Sequence, residues 1–454
     1  MRAHFIAIGG SAMHNLAIAL HKKGYKVTGS DDEIFEPSKT RLAACDLLPL
    51  SIGWDESRIT PDIEAIVLGM HARNDNPELQ KARELGLKIY SYPEFLYEAT
   101  KDKIRIVIGG SHGKTTITSM VMHVLKTCGI EFDYMVGAQL EGFDTMVNLS
   151  NTSKYAVFEG DEYLASTLDP RPKFHLYRPN IGLISGIAWD HINVFPTFEN
   201  YVDQFRIFTK KIENGGSLVY CANDEQVVKV AKEAMGLVNT IPYVEHPHKY
   251  KDGKVYLVKD DDNIEIEVFG SHNMQNLSGA QAVCKLAGIS DEQFYKAIAS
   301  FKGAAKRLQL LAKNSSTNVY LDFAHSPSKL QATVNATREM CPNRKLTACM
   351  ELHTFSSLTE EFLLQYEGTM QKADVAYVYF NPHTIEHKRL KQLSIEQVAK
   401  SFGGSNVKVF TDSQTLRNEL LQTKWDNNNL LLMTSGNFDG VNFKEFAEEI
   451  VNKE

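Results

Sequence analysis

The 454-residue sequence predicts an α/β fold in three domains: a Rossmann-like N-terminal domain, a central P-loop ATPase-type α/β domain and a Rossmann-like C-terminal domain. Three observations carry that expectation. A short apolar run at 104–108 enters a glycine-rich turn, and an amphipathic stretch leaves it. Strand-like and helix-like periodicities alternate before that stretch and again toward the C-terminus, the pattern of parallel sheets. The length also accommodates about three domains of ~150 residues.

The turn reads Gly109, Gly110, Ser111, His112, Gly113, Lys114, Thr115, Thr116. Ile117, Met120, Val121, Val124, Leu125 and Cys128 then recur at helical spacing, and Gly129 marks a stop. Strand, glycine turn and helix N-terminus together make a phosphate-binding loop, because backbone N–H groups curl around an anion and the helix end adds partial positive charge. In that reading Lys114 reaches the β- and γ-phosphates and Thr115 holds Mg²⁺. The full eight-residue pattern wants glycine at 108, where the chain has Ile108, so this is a shorter version of the loop. Lys114 is expected to be exposed and to matter little for stability. The plainer alternative is an ordinary turn with a surface lysine.

Residues 1–97 read as the first domain. A strand at 3–8 runs into Gly9, Gly10, Ser11, Ala12 and Met13, a helix follows, and strands at 25–28 and 64–68 come next. Ligand is expected at the strand C-termini. A dinucleotide fingerprint needs G-x-G-x-x-G, and Ala7 and Ala12 replace its first and last glycines, which disfavours NAD. Asp31 either takes a ribose hydroxyl or caps the next helix.

Residues 98–300 form the central domain. A strand at 154–158 delivers Glu159, Asp161 and Glu162, and one at 181–187 delivers Asp190 and His191. Carboxylates and a histidine at strand ends beside a phosphate loop are where Mg²⁺ ligands belong. The alternatives are a solvated acid and a structural histidine. With Lys114 beside them, the metal reading leads. The 260–263 cluster reads as a solvated turn. Asn273 and Asn276 open a helix that runs to Gly288, where capping is the simple account.

Residues 301–454 form the third domain. A glycine-hinged basic segment with Lys306 and Arg307 precedes strands at 318–321, 345–349, 375–379, 407–410 and 430–433, with helices between them. Net charge is −7 with no basic run, which argues against nucleic acid as the main partner. Six scattered cysteines without CxxC spacing read as reduced thiols. No apolar run approaches 18 residues and no leader precedes the first strand, so no membrane and a cytoplasmic location are expected.

These motifs, taken in order, resemble the Mur ligases of peptidoglycan synthesis across essentially the whole chain: 110–116, Glu159 to Glu162, Asp190-His191, His272-Asn273 to Asn276, Gly303 to Leu308, and Asp322 to Pro327. The turn at 9–13, Gly29-Ser30-Asp31 and Asp75-Asn76-Pro77-Glu78 resemble the branch that binds UDP-N-acetylmuramate. Within it, Asp161-Glu162-Tyr163, Lys173-Phe174 and Tyr177-Arg178-Pro179 resemble members that add the tripeptide L-alanyl-γ-D-glutamyl-meso-diaminopimelate. Members that add L-alanine are the alternative.

The resemblance implies ATP and Mg²⁺ as cofactors. It assigns Gly110, Ser111, His112, Gly113, Lys114, Thr115 and Thr116 to the phosphates, and Thr115, Glu159 and His191 to the metal. It further assigns Asn273 and Asn276 to the adenine side or to orienting nearby residues, Arg307 to the phosphates, Asp322 to the ribose and His325 to the reaction centre. Lys114, His191, Arg307 and His325 would be catalytic. Gly10, Ser11, Met13, Ser30 and Asp31 would hold UDP-N-acetylmuramate; Arg178, and His353 in a loop after a third-domain strand where ligand is expected, are candidate contacts to the peptide amine, the alternative being surface loop residues. A monomer or weak homodimer is expected. Three positions depart from the family: Ala7, Lys306 in place of a common arginine, and Arg206 where several relatives carry a carbamylated lysine. A P-loop switch ATPase and an NAD-dependent oxidoreductase are the competing classes.

Overall fold

A computed structural model describes residues 1–189, 191, 194–260, 262–403 and 407–452; Asp190 of the Asp-His pair and Asp261 of the expected turn lie outside the described residues. The chain forms two compact units, Met1–Val244 with Gln275–Ile298, and Glu245–Met274 with Ala299–Glu454.

The first unit holds two sheets. One is a four-stranded parallel sheet in the order Lys26–Ser30, Arg2–Ile6, Ala65–Leu68, Ile89–Ser91. The other has seven strands in the order Asn239–Tyr243, Ser217–Cys221, Ile181–Ile184, Ile104–Gly109, Tyr155–Glu159, Phe132–Met135, Val147–Asn148, and only the last runs antiparallel. The strand that feeds the phosphate loop is therefore central. Ile106, Val107 and Ile108 are fully buried, as expected of a parallel strand covered on both faces. The helix Lys114–Thr127 that follows buries Ile117, Met120, Val121, Val124 and Leu125, the stripe its spacing predicts.

At the end of Arg2–Ile6 the chain turns at Ala7, with φ 70°, and the N–H groups of Ala7 and Ile8 both reach Ser30 O. Alanine thus adopts the backbone conformation that glycine would take in the fingerprint. A left-handed L-residue carries strain of about 1–2 kcal/mol, so the turn is preserved at some energetic cost.

The second unit holds a three-stranded antiparallel sheet, His248–Lys251, Lys254–Lys259 and Asp262–Ile266. It also holds a six-stranded sheet in the order Gln309–Lys313, Asn318–Asp322, Asn428–Met433, Lys345–Leu352, Val375–Phe380, Val407–Phe410. The first of these six runs antiparallel, and the sequence reading missed it because its residues are mostly exposed and show no clean alternation. The last strand in the chain returns to the middle, so the C-terminal ends of Asn318–Asp322 and Lys345–Leu352 flank it. Ligands of doubly wound sheets sit at such ends.

Candidate active site

Ile104–Gly109 lies between Tyr155–Glu159 and Ile181–Ile184, with Ile108 beside Glu159 and Gly109 beside Ile184. The phosphate loop and the acidic segment therefore leave neighbouring strands at the same end. Gly110 and Gly113 have φ of 129° and 77°. A Cβ at Gly110 would collide with Ser185, and one at Gly113 with Oδ1 of Asn276. Only glycine satisfies both the dihedral and the space, and Gly113 is the N-cap of Lys114–Thr127, where unsatisfied N–H groups open. That cradle fits the phosphates of ATP.

Lys114 Nζ donates to Gly110 O at 2.7 Å and to Glu162 Oε2 at 2.6 Å. The Lys114 side chain is 15% exposed and that of Glu162 only 1%. Burial pushes the lysine toward neutrality, but the Glu162 and Asp161 carboxylates outweigh it and hold the ammonium above its ordinary pKa. Burial would likewise raise Glu162, yet Lys114 and His191 overcome that, and its pKa falls well below the usual carboxylate range. Lys114 is thus not the exposed lysine the sequence suggests. Tyr201 OH donates to Glu162 Oε1 at 3.1 Å and lies 2.8 Å from Ser111 Oγ, which also accepts Ala188 N–H at 2.8 Å. His112 packs so close to Gly186 that a Cβ there would strike its ring, and Thr116 is buried.

Thr115 Oγ1 donates to Glu159 Oε1 at 2.9 Å, and Gly137 N–H to Glu159 Oε2 at 2.8 Å. Two hard oxygen donors on adjoining elements suit Mg²⁺, which takes few protein oxygens and keeps waters. His191 has φ 55°, its Nε2 lies 3.7 Å from Glu162 Oε1, and its ring meets Tyr163 edge-on at 4.9 Å. Among the described residues no three His, Cys, Asp or Glu side chains gather as a metal site. The fit to Mg²⁺ therefore rests on Thr115 and Glu159. Arg206 bonds to Asp203 at 2.8 Å, to Glu233 at 3.0 Å and to Glu199, so its charge is engaged by three helix-surface carboxylates.

At the N-terminal turn Asp31 Oδ2 accepts Gly9 N–H at 2.6 Å and Oδ1 accepts Asp32 N–H at 3.0 Å. Burial pushes this carboxyl up to about 6. Asp31 thus holds the turn itself; the next helix, Ser38–Ala43, is preceded by Pro37. Gly10 and Ser11 are exposed at the start of Ser11–Lys22, Met13 is buried, and the Ser30 hydroxyl donates inward to buried Glu78.

Arg178 is not brought to this cluster. It precedes Ile181–Ile184, at the opposite ends of the strands from the phosphate loop. There its Nε lies 3.2 Å from Glu213 and its carbonyl accepts Arg105 Nε at 3.0 Å. Buried Arg105 also donates to the carbonyls of Tyr177, Thr100, Lys101 and Lys103, so the Tyr177-Arg178 segment closes a backbone-binding arginine pocket.

In the second unit Asp322 ends its strand with Oδ2 accepting Leu308 N–H and Oδ1 accepting Ala324 N–H, both at 2.7 Å. The first bond holds Leu308, the residue after Arg307: Lys306 and Leu308 on either side of Arg307 have positive φ, and the Arg307 guanidinium stacks over Phe323 at 4.7 Å. His325 Nδ1 lies 2.8 Å from Phe323 O, and Asn273 Nδ2 donates to Phe269 O at 2.8 Å, one turn upstream. His353 Nδ1 is 3.7 Å from Glu351, whose buried carboxylate also accepts Phe438 N–H at 3.1 Å.

The sequence reading gave no role to Tyr201, Gly137 or Asn15, and took Glu162 only as one of the strand-end carboxylates, not as the partner of Lys114. Tyr201 and Gly137 carry no local signal, because their part depends on where a helix and a loop pack.

Three family profiles match the chain: "Mur ligase family, catalytic domain" over residues 2–104, "Mur ligase middle domain" over 108–284 and "Mur ligase, glutamate ligase domain" over 306–437. Among curated proteins, the chain is 32% identical over 390 residues to a UDP-N-acetylmuramate–L-alanine ligase of Caldicellulosiruptor bescii, covering 82% of each chain. It is 27% identical over 458 residues to the enzyme of that name from Carboxydothermus hydrogenoformans, covering 98% of this chain and 96% of that one. Among solved structures, a murein peptide ligase from Psychrobacter arcticus superposes with a TM-score of 0.66 at 20% identity, covering 100% and 99% of the two chains. A UDP-N-acetylmuramate–alanine ligase from Thermotoga maritima gives 0.70 at 19% identity, covering 99% and 98%. These structures share the three-domain α/β fold.

Proposed function

The chain belongs to the Mur ligase family, and on that premise we propose that it joins the carboxylate of UDP-N-acetylmuramate to the amine of L-alanine with consumption of ATP. The observation that carries the ligase reading is the phosphate loop with Lys114 on Glu162 and Thr115 on Glu159. ATP supplies the phosphoryl group that activates the carboxylate as an acyl phosphate, and Mg²⁺ supplies charge neutralisation at the phosphate oxygens. Lys114 presents an ammonium fixed by Gly110 O and Glu162, so little reorganisation is needed when negative charge develops nearby. Thr115 and Glu159 would hold the metal, and His191 orients against Tyr163 and Glu162. Gly10, Ser11 and Asp31 are assigned to the sugar nucleotide, Asn276 to the nucleotide beside Gly113, Arg307 to phosphate, and Asp322 to a ribose hydroxyl, for which Oδ2 keeps a lone pair.

Support for L-alanine as the amine comes from the curated relatives, which carry that substrate in their names at 27–33% identity. The tripeptide expected from the sequence remains a second reading on one observation. Lys173 Nζ lies 2.6 Å from Asp161 Oδ2, and Tyr163 between them and His191 touches the histidine ring, so the segment that suggested the tripeptide does adjoin the acidic cluster. Phosphate release measured with ATP, UDP-N-acetylmuramate and each amine in turn tests both. A higher kcat/KM for L-alanine is expected; a higher value for the tripeptide transfers the assignment to it. Release that is independent of UDP-N-acetylmuramate would end the ligase reading.

A further inference from the structure

The connection at 136–146, between Phe132–Met135 and Val147–Asn148, is tied to several neighbours. Lys126 of the phosphate-loop helix donates to Gly142 O at 2.5 Å and covers the Phe143 ring at 4.7 Å. Gly137 N–H holds Glu159 Oε2 at 2.8 Å. Another tie comes from Asn15, one turn into Ser11–Lys22. Its Oδ1 accepts Met146 N–H at 3.1 Å and its Nδ2 donates to Ser11 O at 2.8 Å. Asn15 is wholly buried, so its amide is satisfied by protein partners. Arg41 reaches the same Oδ1 at 3.4 Å and Gln139 Oε1 at 3.1 Å.

We propose that Asn15 is a positioning residue that couples occupancy of the Gly10 and Ser11 turn to the phosphate-loop centre. The proposal rests on the reading that UDP-N-acetylmuramate docks at that turn. The links are contiguous. Asn15 Oδ1 takes Met146 N–H, and Met146 O takes Val136 N–H at 3.0 Å. The next residue, Gly137, donates to Glu159 Oε2, and Glu159 Oε1 takes the Thr115 hydroxyl. A ligand that draws the Ser11 end of the first helix toward itself moves Asn15, because Asn15 is bonded to Ser11 O. The single acceptor on Met146 N–H then sets where the Gly137 donor stands, and that donor fixes one oxygen of the carboxylate assigned to Mg²⁺. Such coupling is reciprocal: each ligand changes the affinity of the other by the same factor.

Calorimetry on the full chain tests it, by titrating a non-hydrolysable ATP analogue with Mg²⁺ in the absence and presence of saturating UDP-N-acetylmuramate. In the native protein the sugar nucleotide is expected to tighten the analogue by roughly tenfold. Asn15→Ala brings that ratio to about one while analogue affinity without the sugar stays within about twofold. Met146→Pro removes the N–H donor from the other side, together with the Sδ that lies 3.7 Å from Asn15 Nδ2, while leaving Asn15 and its bond to Ser11 O unaltered in sequence, and gives the same loss. Gln139→Ala removes the Arg41 link and the Gln139 Nε2 bond to Phe143 O but leaves the Asn15, Met146 and Gly137 bonds in place, and keeps the native ratio. An unchanged ratio in Asn15→Ala or Met146→Pro, or a native ratio of one with both ligands bound, overturns the coupling. A native protein that binds the analogue but not the sugar nucleotide overturns the functional reading instead.

Discussion

Lys114 and Glu162 form an ion pair of 2.6 Å between Nζ and Oε2 in which the carboxylate is almost completely buried. The lysine assigned to phosphate chemistry therefore also neutralises a charge the fold has taken out of water. Removing one partner of a buried pair is far more destabilising than the pair is stabilising, because the other charge is left uncompensated. Lys114→Ala should lower stability by about 3–5 kcal/mol as well as reduce turnover by orders of magnitude. The double variant Lys114→Met with Glu162→Gln should recover most of the stability and none of the turnover. Denaturant unfolding and phosphate release on the same samples check both; a stable, inactive Lys114→Ala would remove Glu162 as a structural partner.

Gly113→Ala puts a Cβ into Asn276 Oδ1 at a residue whose φ is 77°. Strain and displacement of Asn276 act together, and a loss of about 2 kcal/mol or more is expected alongside loss of nucleotide binding. Retained binding of an ATP analogue would contradict the placement of Asn276 against the loop.

Ala7→Gly removes an L-residue from a left-handed backbone position. Relief of strain competes with the greater freedom of glycine in the unfolded chain, so the net change should lie between neutral and about 1 kcal/mol stabilising. Chemical denaturation measures it, and a loss above about 1 kcal/mol would mean that the Ala7 methyl packs usefully.

His175 is buried with Nε2 2.7 Å from Gln204 O, and burial pushes its pKa down to about 4, only partly offset by that bond. Below pH ~6.5 the unfolded chain takes up a proton that the folded chain refuses. The stability contributed by the neutral ring is therefore complete above ~6.5 and declines as pH falls to about 4, by roughly 3 kcal/mol in all. His175→Gln, which cannot titrate, should show a flatter acid limb in urea unfolding between those pH values. Equal slopes for the two proteins would acquit His175.

The sequence by itself determined the strand, glycine turn and helix at 104–127, the alternation that makes parallel sheets, and the delivery of Glu159 and Glu162 to a strand end, because each is written in local spacing: period-two or continuous apolar runs, helical stripes, and glycines where a side chain cannot fit. It also placed Ala7 at a glycine position, though not that alanine would take glycine's dihedral. Tertiary structure alone decided which charges meet. The pairing of Lys114 with Glu162 joins residues 48 apart in the chain. The capture of Glu159 by Gly137 depends on where a loop packs, and the tie between Asn15 and Met146 spans 131 residues. Arg178 shows the converse. It lies close in sequence to the acidic cluster, yet Arg105 binds the adjoining backbone at the far ends of the strands and keeps it there. A side chain's partners are set by the sheet order and by the desolvation that makes an unpaired buried charge costly, and neither is a property of neighbouring residues.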